Sequence, residues 1–444
     1  MDSMTAALDP FRAALRDLST VEERGRVTEV LGTLVKAVGV QARVGELCEL
    51  RTRQGTVLRA EVIGFRGNGA ILTPFGDIAG LSSETEVIAT RRRFTIPTGA
   101  ALLGRVLDGF GDPLDGRGPL AGAKSQDLVD AEPPGALLRR PVDRVCQTGI
   151  RAIDALLTIG EGQRVGVVAP VGVGKTTLMG MLARGTRVDV NVVALIGERG
   201  REVGEFLDRT LGSDGLKRSV VLVTTADRPA VERAKCAQVA TTIAEGFRRE
   251  GRHVLLLVDS ITRYARALRE IGLASGEAPT RRGFPPSVFA ALPRLLERAG
   301  NDDRGSITAF YTLLIEGDEE GDPIADEVRS LLDGHLQLSR AQAQAHQFPA
   351  IDVLASLSRV MSGITPATQQ EAAARVRGWL AKYREIELLL QMGEYQKGVD
   401  SEADEAIAHM PVLRQFLQQR PDEFTDFRTA TANLLDMVAD SRHG

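Results

Sequence analysis

Apolar residues change their spacing several times along this chain, and each change predicts a different kind of element. Leu8, Phe11, Leu15 and Leu18 recur at helical spacing, which predicts a short amphipathic helix over residues 1–24. From 25 to 93 the pattern becomes short β-like runs, Val27–Leu31, Val57–Phe65 and Ala70–Pro74, broken by glycine turns such as Arg66-Gly67-Asn68-Gly69. That pattern predicts a small β-barrel. Residues 94–150 are rich in Gly, Pro and Asp, above all from Asp108 to Gly116, and lead into a central domain. There, continuous apolar runs (Val165–Val168, Val192–Ile196, Val220–Val223, Val254–Val258, Ile307–Leu314) alternate with helical stretches. Strands without in–out alternation belong to a parallel sheet covered on both faces. After about 368 the chain turns helical, with Val376, Trp379, Leu380, Tyr383, Ile386 and Leu390 on one apolar face. The expected organisation is an N-terminal helix (1–24), a β-barrel (25–93), an α/β domain (94–367) and a helical C-terminal domain (368–444).

Composition narrows the function classes. The 444 residues suit about three domains. A formal net charge of −4 argues against a nucleic-acid binder working by bulk charge. Cys48, Cys146 and Cys236 are far apart, fit no zinc spacing, and read as reduced thiols of a cytosolic protein. The first 18 residues carry Asp2, Asp9 and Asp17 and no long apolar stretch, so no secretory signal is expected. No run approaches 18 apolar residues, so membrane association is expected only through partners.

The chemistry starts at Ala169-Pro170-Val171-Gly172-Val173-Gly174-Lys175-Thr176, which follows an apolar strand and precedes a helical segment. Strand, glycine-rich turn and helix start form a relaxed P-loop, with Ala169 where the strict pattern has glycine. The glycines let backbone N–H groups curl around phosphate oxygens, and the helix N-terminus adds partial positive charge. Phosphate contacts are expected from Gly172, Val173, Gly174, Lys175, Thr176 and Thr177. Lys175 reaches the outer phosphates, and the Thr176 hydroxyl suits Mg2+. Lying on a loop, Lys175 is expected to matter little for stability. Pro170 has no N–H to offer phosphate. Asp259, at the end of Leu255-Leu256-Leu257-Val258, supplies a carboxylate for the magnesium shell. Glu198 ends another strand and is a candidate base; the alternative is a surface glutamate paired with Arg199 or Arg201. Arg263 and Arg359 are candidates to meet charge developing on the γ-phosphate; an arginine as far downstream as Arg359 could serve a neighbouring subunit's site. The alternative for each is an ordinary salt bridge.

Pro349-Ala350-Ile351-Asp352-Val353-Leu354-Ala355-Ser356-Leu357-Ser358 resembles the signature shared by the α/β subunits of rotary ATP synthases. Gly197–Val203, Asp259–Arg263, Thr280–Phe289 and Gly305–Tyr311 resemble the flagellar and type III secretion branch of that family. Arg263–Glu270 and Leu380–Gly398 are similar to the injectisome form more than to the flagellar one. The resemblance runs from about residue 25 to the C-terminus.

It implies a RecA-like P-loop domain between a small β-barrel and a helical C-terminal domain, with six copies in a ring and ATP and Mg2+ at the interfaces. Glu198 would activate water, Arg263 would contact the γ-phosphate, and Arg359 would be an arginine finger inserted from the adjacent subunit. Phe348 would stack on adenine, and Tyr395 would be a second aromatic near the base. The ring would sit at the cytoplasmic face of the bacterial inner membrane and hydrolyse ATP to release effectors from chaperones and promote their unfolding and export. Implied partners are stator and central stalk proteins, export-gate and sorting-platform components, and chaperone–effector complexes docking on the C-terminal domain. The nearest alternative is the flagellar export ATPase. Glu198 speaks against a non-catalytic ring subunit, and the acidic balance speaks against a nucleic-acid motor. Ala278 and Thr365–Gln370 depart from the family pattern, the latter leaving open the angle at which the C-terminal domain begins.

Overall fold

The computed structural model describes residues 23–122, 125–315 and 321–439. The chain forms two compact units, one ending at Phe94 and the other beginning at Thr95. The first unit consists of strands β1 (Arg24–Leu31), β2 (Leu34–Val38), β3 (Glu46–Arg51), β4 (Val57–Arg66), β5 (Gly69–Pro74) and β6 (Glu86–Arg93). They close in the order β1-β2-β5-β4-β3-β6. Inward positions alternate along each strand, so Val35, Ala37, Cys48, Leu50, Ala60, Val62, Leu72 and Val87 fill the interior. Pairing of β1 with β6 completes the ring and leaves no open sheet edge. Residues 1–22 of the expected N-terminal helix lie outside the described residues. Arg24, placed at the end of that helix, instead starts β1 and pairs with Ile88. The apolar side of a barrel strand needs only two or three residues, too few to separate it from a helix end by pattern alone.

The second unit is built on one large sheet. Its strands are β8 (Val106–Leu107), β10 (Arg164–Pro170), β11 (Val190–Glu198), β12 (Ser219–Thr225), β13 (His253–Asp259), β14 (Gly300–Asn301), β15 (Ser306–Ile315), β16 (Gly334–Leu338) and β17 (Ile351–Ser358); β7 (Thr95–Thr98) and β9 (Ser125–Leu128) form a separate ribbon. The order is β17-β16-β10-β15-β13-β11-β12-β8, with β14 beside β15. Pairing is parallel throughout except for β17 on β16 and β14 on β15. Every residue of β11 is buried, which explains its unbroken apolar run. The Gly/Pro/Asp-rich stretch supplies the edge strand β8. Asp108 turns the chain there by accepting from the Phe110 and Asp112 N–H groups at 2.9 and 2.8 Å.

A short helix, Met361–Ile364, and three longer ones follow the sheet: Ala367–Met392, Ser401–Leu417 and Phe427–Ala439. Val376, Trp379 and Ile386 are buried, as the apolar face predicts, and pack with Met410, Leu413, Phe416 and Leu434. Their core is continuous with that of the sheet. The stretch that departs from the family pattern sets the first long helix: fully buried Gln369 donates to the Asp154 and Ala155 carbonyls and to the Thr158 hydroxyl at 3.0–3.2 Å. Among the described residues, no helix is long and apolar enough to cross a membrane.

Candidate active site

In a parallel sheet all strands end on one side, so loops after neighbouring strands share a crevice. β10, β15, β13 and β11 are adjacent in that order. They bring together the P-loop, Asp259 at the end of β13 and Glu198 at the end of β11. Gly172 and Gly174 hold φ of 84° and 88°, left-handed values that glycine adopts without strain. Lys175 is the first residue of the helix Lys175–Gly185 rather than a loop residue, and no side chain caps that helix. Its leading N–H groups are therefore left for an anion. The next crevice helix, Ile261–Ala274, is capped instead, its Arg263 N–H donating to Ser260 Oγ at 3.3 Å. Thr176 and Thr177 are exposed on the first turn after the loop, while Val173 is buried beneath it.

The charged groups form one cluster. The Lys175 ammonium donates to Asp259 Oδ1 and lies 3.8 Å from Glu198 Oε1. Thr312, from the intervening β15, donates to the same Asp259 oxygen at 2.8 Å. Arg263 donates to the Gly197 carbonyl, and its Nε lies 3.3 Å from Glu198 Oε1. Gly197 makes this approach possible: a Cβ there would come within 3.1 Å of Arg263 Cδ. Arg199 and Arg201 pair with Glu202 and Glu205 instead, so Glu198 is no surface ion-pair residue. Only 7 % of Glu198 is exposed, and its Oε1 accepts no hydrogen bond. Burial, and next the negative charge of Asp259, push its carboxyl from 4.5 up to about 7; Lys175 and Arg263 oppose the rise. A buried carboxyl titrating near neutrality, with one oxygen left without a hydrogen bond, can accept a proton from water.

Phe348 flanks the loop. A Cβ on Gly174 would sit 3.3 Å from its ring, so the ring borders the phosphate cradle. The Phe348 carbonyl accepts from the Gln419 N–H at 2.8 Å, tying the ring's position to the C-terminal region. The contacts described for Tyr395 stay within the C-terminal helices: its hydroxyl donates to Asp404 at 2.8 Å and to the Asp400 carbonyl at 3.2 Å.

Arg359 stands apart from its own P-loop. β17 runs antiparallel to β16, so its C-terminal end lies where the parallel strands begin. The Arg359 N–H donates to the Asp333 carbonyl at 3.0 Å, and Asp333 is ion-paired to Arg164, the first residue of β10. The P-loop leaves the other end of β10, six residues on, or about 20 Å away. The Arg359 side chain is exposed and has no salt bridge among the described residues.

Thr312, Asp333 and Gln419 did not emerge from the motifs. Thr308 and Thr312, polar residues four apart in the largely apolar β15, were the one available signal, because that spacing puts both on one face of the strand.

For magnesium, the oxygen donors of Thr176 and Asp259 are the hard ligands the ion favours, few enough to leave room for water and phosphate. Among the described residues there is no cluster of three His, Cys, Asp or Glu that would hold a metal by itself.

Comparison with known proteins agrees with this fold. Residues 149–358 match the ATP synthase alpha/beta family, nucleotide-binding domain, 27–91 its beta-barrel domain, and 365–436 the T3SS EscN ATPase C-terminal domain. The type 3 secretion system ATPase of Xanthomonas euvesicatoria is 57% identical over 429 residues, covering 96% of this chain and 97% of the relative. The flagellum-specific ATP synthase of Bacillus subtilis is 48% identical over 401 residues, covering 90% and 91%. The assembled ATPase EscN of the enteropathogenic E. coli type III secretion system superposes with a TM-score of 0.88 at 46% identity, over 93% of this chain and 100% of that one. EscN in complex with its central stalk EscO gives 0.87 at 45%, with the same coverage. P-loop, strand-end carboxylates, barrel and C-terminal helices thus converge, and the chain belongs to the ATP synthase alpha/beta family as an ATPase of its type 3 secretion branch.

Proposed function

We propose that this chain works as a homohexameric, Mg2+-dependent ATPase whose sites are completed between neighbouring subunits, and that hydrolysis drives protein export through a type III secretion apparatus. The observation that carries the shared site is the placement of Arg359 about 20 Å along the sheet from its own P-loop, exposed and unpaired among the described residues. In a ring it meets the nucleotide of the next subunit.

Each residue then has one task. The Gly172–Thr177 turn, with Gly174 and the uncapped helix start, cradles the phosphates. Lys175 exchanges its carboxylate contacts for the outer phosphates. Mg2+, held on the Thr176 and Asp259 side, would neutralise phosphate charge. Glu198 orients and deprotonates the attacking water, with Arg263 fixing its carboxylate and facing the γ-phosphate. Arg359 of the neighbour stabilises charge in the transition state. Phe348 stacks on the adenine, and Tyr395 belongs to the same base-binding region.

The barrel (25–93), the nucleotide domain (94–367) and the helices (368–444) act as ring-forming, hydrolysing and substrate-facing parts. EscN has been solved assembled and with its central stalk EscO, which supports a ring and a stalk partner here. We extend this to stator, export-gate and sorting-platform partners, to chaperone–effector complexes, and to a place at the cytoplasmic face of the inner membrane. The higher identity to a type 3 secretion ATPase (57%) than to a flagellum-specific one (48%) favours the injectisome over the flagellum.

The test is a mixing experiment. Arg359→Ala should lower kcat by roughly a thousandfold, the scale of an arginine finger, while ATP still binds. Lys175→Ala protein is inactive but keeps its finger. Co-assembled mixtures should recover activity above the sum of the two. Mixtures shown to co-assemble without recovery would mean that Arg359 acts within its own subunit or not at all.

A further inference from the structure

The root of Arg359 is built with more care than the surface position of its side chain requires. The last strand pair before it, Gly334 opposite Ser358, is so close that a Cβ on Gly334 would sit 2.3 Å from the Leu357 carbonyl oxygen. No other residue allows β17 to end there. Asp333, just before this glycine, holds both sides of the junction. Its carbonyl accepts the Arg359 N–H at 3.0 Å and Gln163 Nε2 at 3.0 Å. Its N–H donates to the Arg164 carbonyl at 2.9 Å. Its carboxylate takes three bonds from Arg164: Oδ2 from the backbone N–H at 3.0 Å and from Nε at 3.1 Å, and Oδ1 from Nη2 at 3.2 Å.

Arg164 is fixed in turn by Glu297 at 2.5 Å, and Glu297 also pairs with Arg139 at 3.2 Å. Gln163 donates to Ser358 Oγ at 3.2 Å, and that hydroxyl donates to the Thr158 carbonyl at 2.7 Å. Charge-assisted, bidentate contacts of this kind fix direction as well as distance. Arg164, Asp333, Arg359 and Val360 line one open cavity of about 370 Å³, so the clamp and the arginine face the same space.

We infer that Asp333 is a positioning residue for the arginine finger: through Arg164 it ties the base of Arg359 to the first residue of the P-loop strand, and so aims the finger at the neighbouring subunit's nucleotide. This rests on the reading that Arg359 acts on the neighbour. The clamp lies at the start of β10, at the opposite end from its own P-loop, so its effect falls on transition-state stabilisation and not on ATP binding by its own subunit. A misplacement of about 1 Å at a catalytic group can cost as much as a hundredfold in rate.

Asp333→Asn keeps the backbone bonds and removes the charge that holds Arg164. In the full-length protein kcat should fall at least about tenfold, with KM for ATP changed less than about twofold. Mixing separates a finger defect from a defect in the P-loop strand. If Asp333 serves the finger, Asp333→Asn subunits keep a sound P-loop, and mixing them with Lys175→Ala subunits should restore activity. Mixing them with Arg359→Ala subunits should restore none, because both fingers are impaired. The reverse pattern, recovery with Arg359→Ala and not with Lys175→Ala, overturns the inference and makes Asp333 a support of its own P-loop. Near wild-type turnover by Asp333→Asn overturns it too. The Lys175→Ala and Arg359→Ala mixture is the control: its failure sinks the shared-site reading itself, whereas its success with the reverse pattern sinks only the role of Asp333. Should Asp333→Asn fail to assemble, Arg164→Lys, which keeps the charge and loses the fork, must show the same mixing pattern.

Discussion

Glu198→Gln should inactivate the enzyme and at the same time stabilise it. Glu198 is nearly buried beside Asp259, and its carboxyl titrates at about 7 instead of 4.5. A group whose folded pKa is raised favours the fold while protonated. The wild type therefore loses stability as pH rises from about 4.5, and the loss is complete above about 7. At 1.36 kcal/mol per pH unit, ionised Glu198 costs the fold about 3 kcal/mol. Gln keeps the shape and carries no charge, so the variant escapes most of this cost at pH 8 and none of it near pH 4.5. Thermal melts should show the variant above wild type by roughly 5 °C at pH 8, with the gap closing toward pH 5. Turnover should fall about a hundredfold, the scale for loss of a general base, while ATP binding is retained. In the wild type, kcat/KM, which reports the free enzyme, should climb with pH through about 7 and then level. A gap in melting temperature that does not change with pH, or a variant less stable than wild type at pH 8, would refute the buried-charge account. Turnover near wild type would move the base elsewhere.

Lys175→Ala should abolish hydrolysis and also lower stability by about 3 kcal/mol, because it leaves Asp259 and Glu198 without their shared cation; a melt unchanged at pH 8 would show that the pairing contributes nothing. Phe348→Ala should raise KM for ATP by roughly tenfold or more, as expected for loss of a base-stacking ring, with kcat little affected; a fall in kcat at unchanged KM would place the ring outside the base site.

Much of the nucleotide site was legible in the sequence because its chemistry is local. A phosphate cradle needs glycines followed by Lys and Thr, and those residues are consecutive. Asp259 and Glu198 were legible because an acid that ends an apolar run ends a buried strand, and parallel strands end on one side. Barrel strands β2, β3 and β6 were not marked, since short half-buried strands share their composition with turns and helix ends. Tyr395 was marked by resemblance only, and its described bonds remain with Asp400 and Asp404.

Pairing at a distance was settled by the fold alone. Chain pattern alone marked the central strands β10, β11, β12, β13 and β15, the position of the P-loop, and the acids and arginines available to it. It carried no order for the strands, and order is what sets β15 between β10 and β13, so that Thr312 holds Asp259. Nor did it show that β17 runs against its neighbour, which puts Arg359 at the opposite end of the sheet from its own P-loop. Lys175 reads as a phosphate ligand in one dimension and becomes the counter-ion of two buried carboxylates in three. The physical reason is the same in each case. Backbone conformation and burial follow from neighbours along the chain, whereas electrostatic and hydrogen-bond partners follow from sheet order and strand direction, which depend on contacts between residues far apart in sequence.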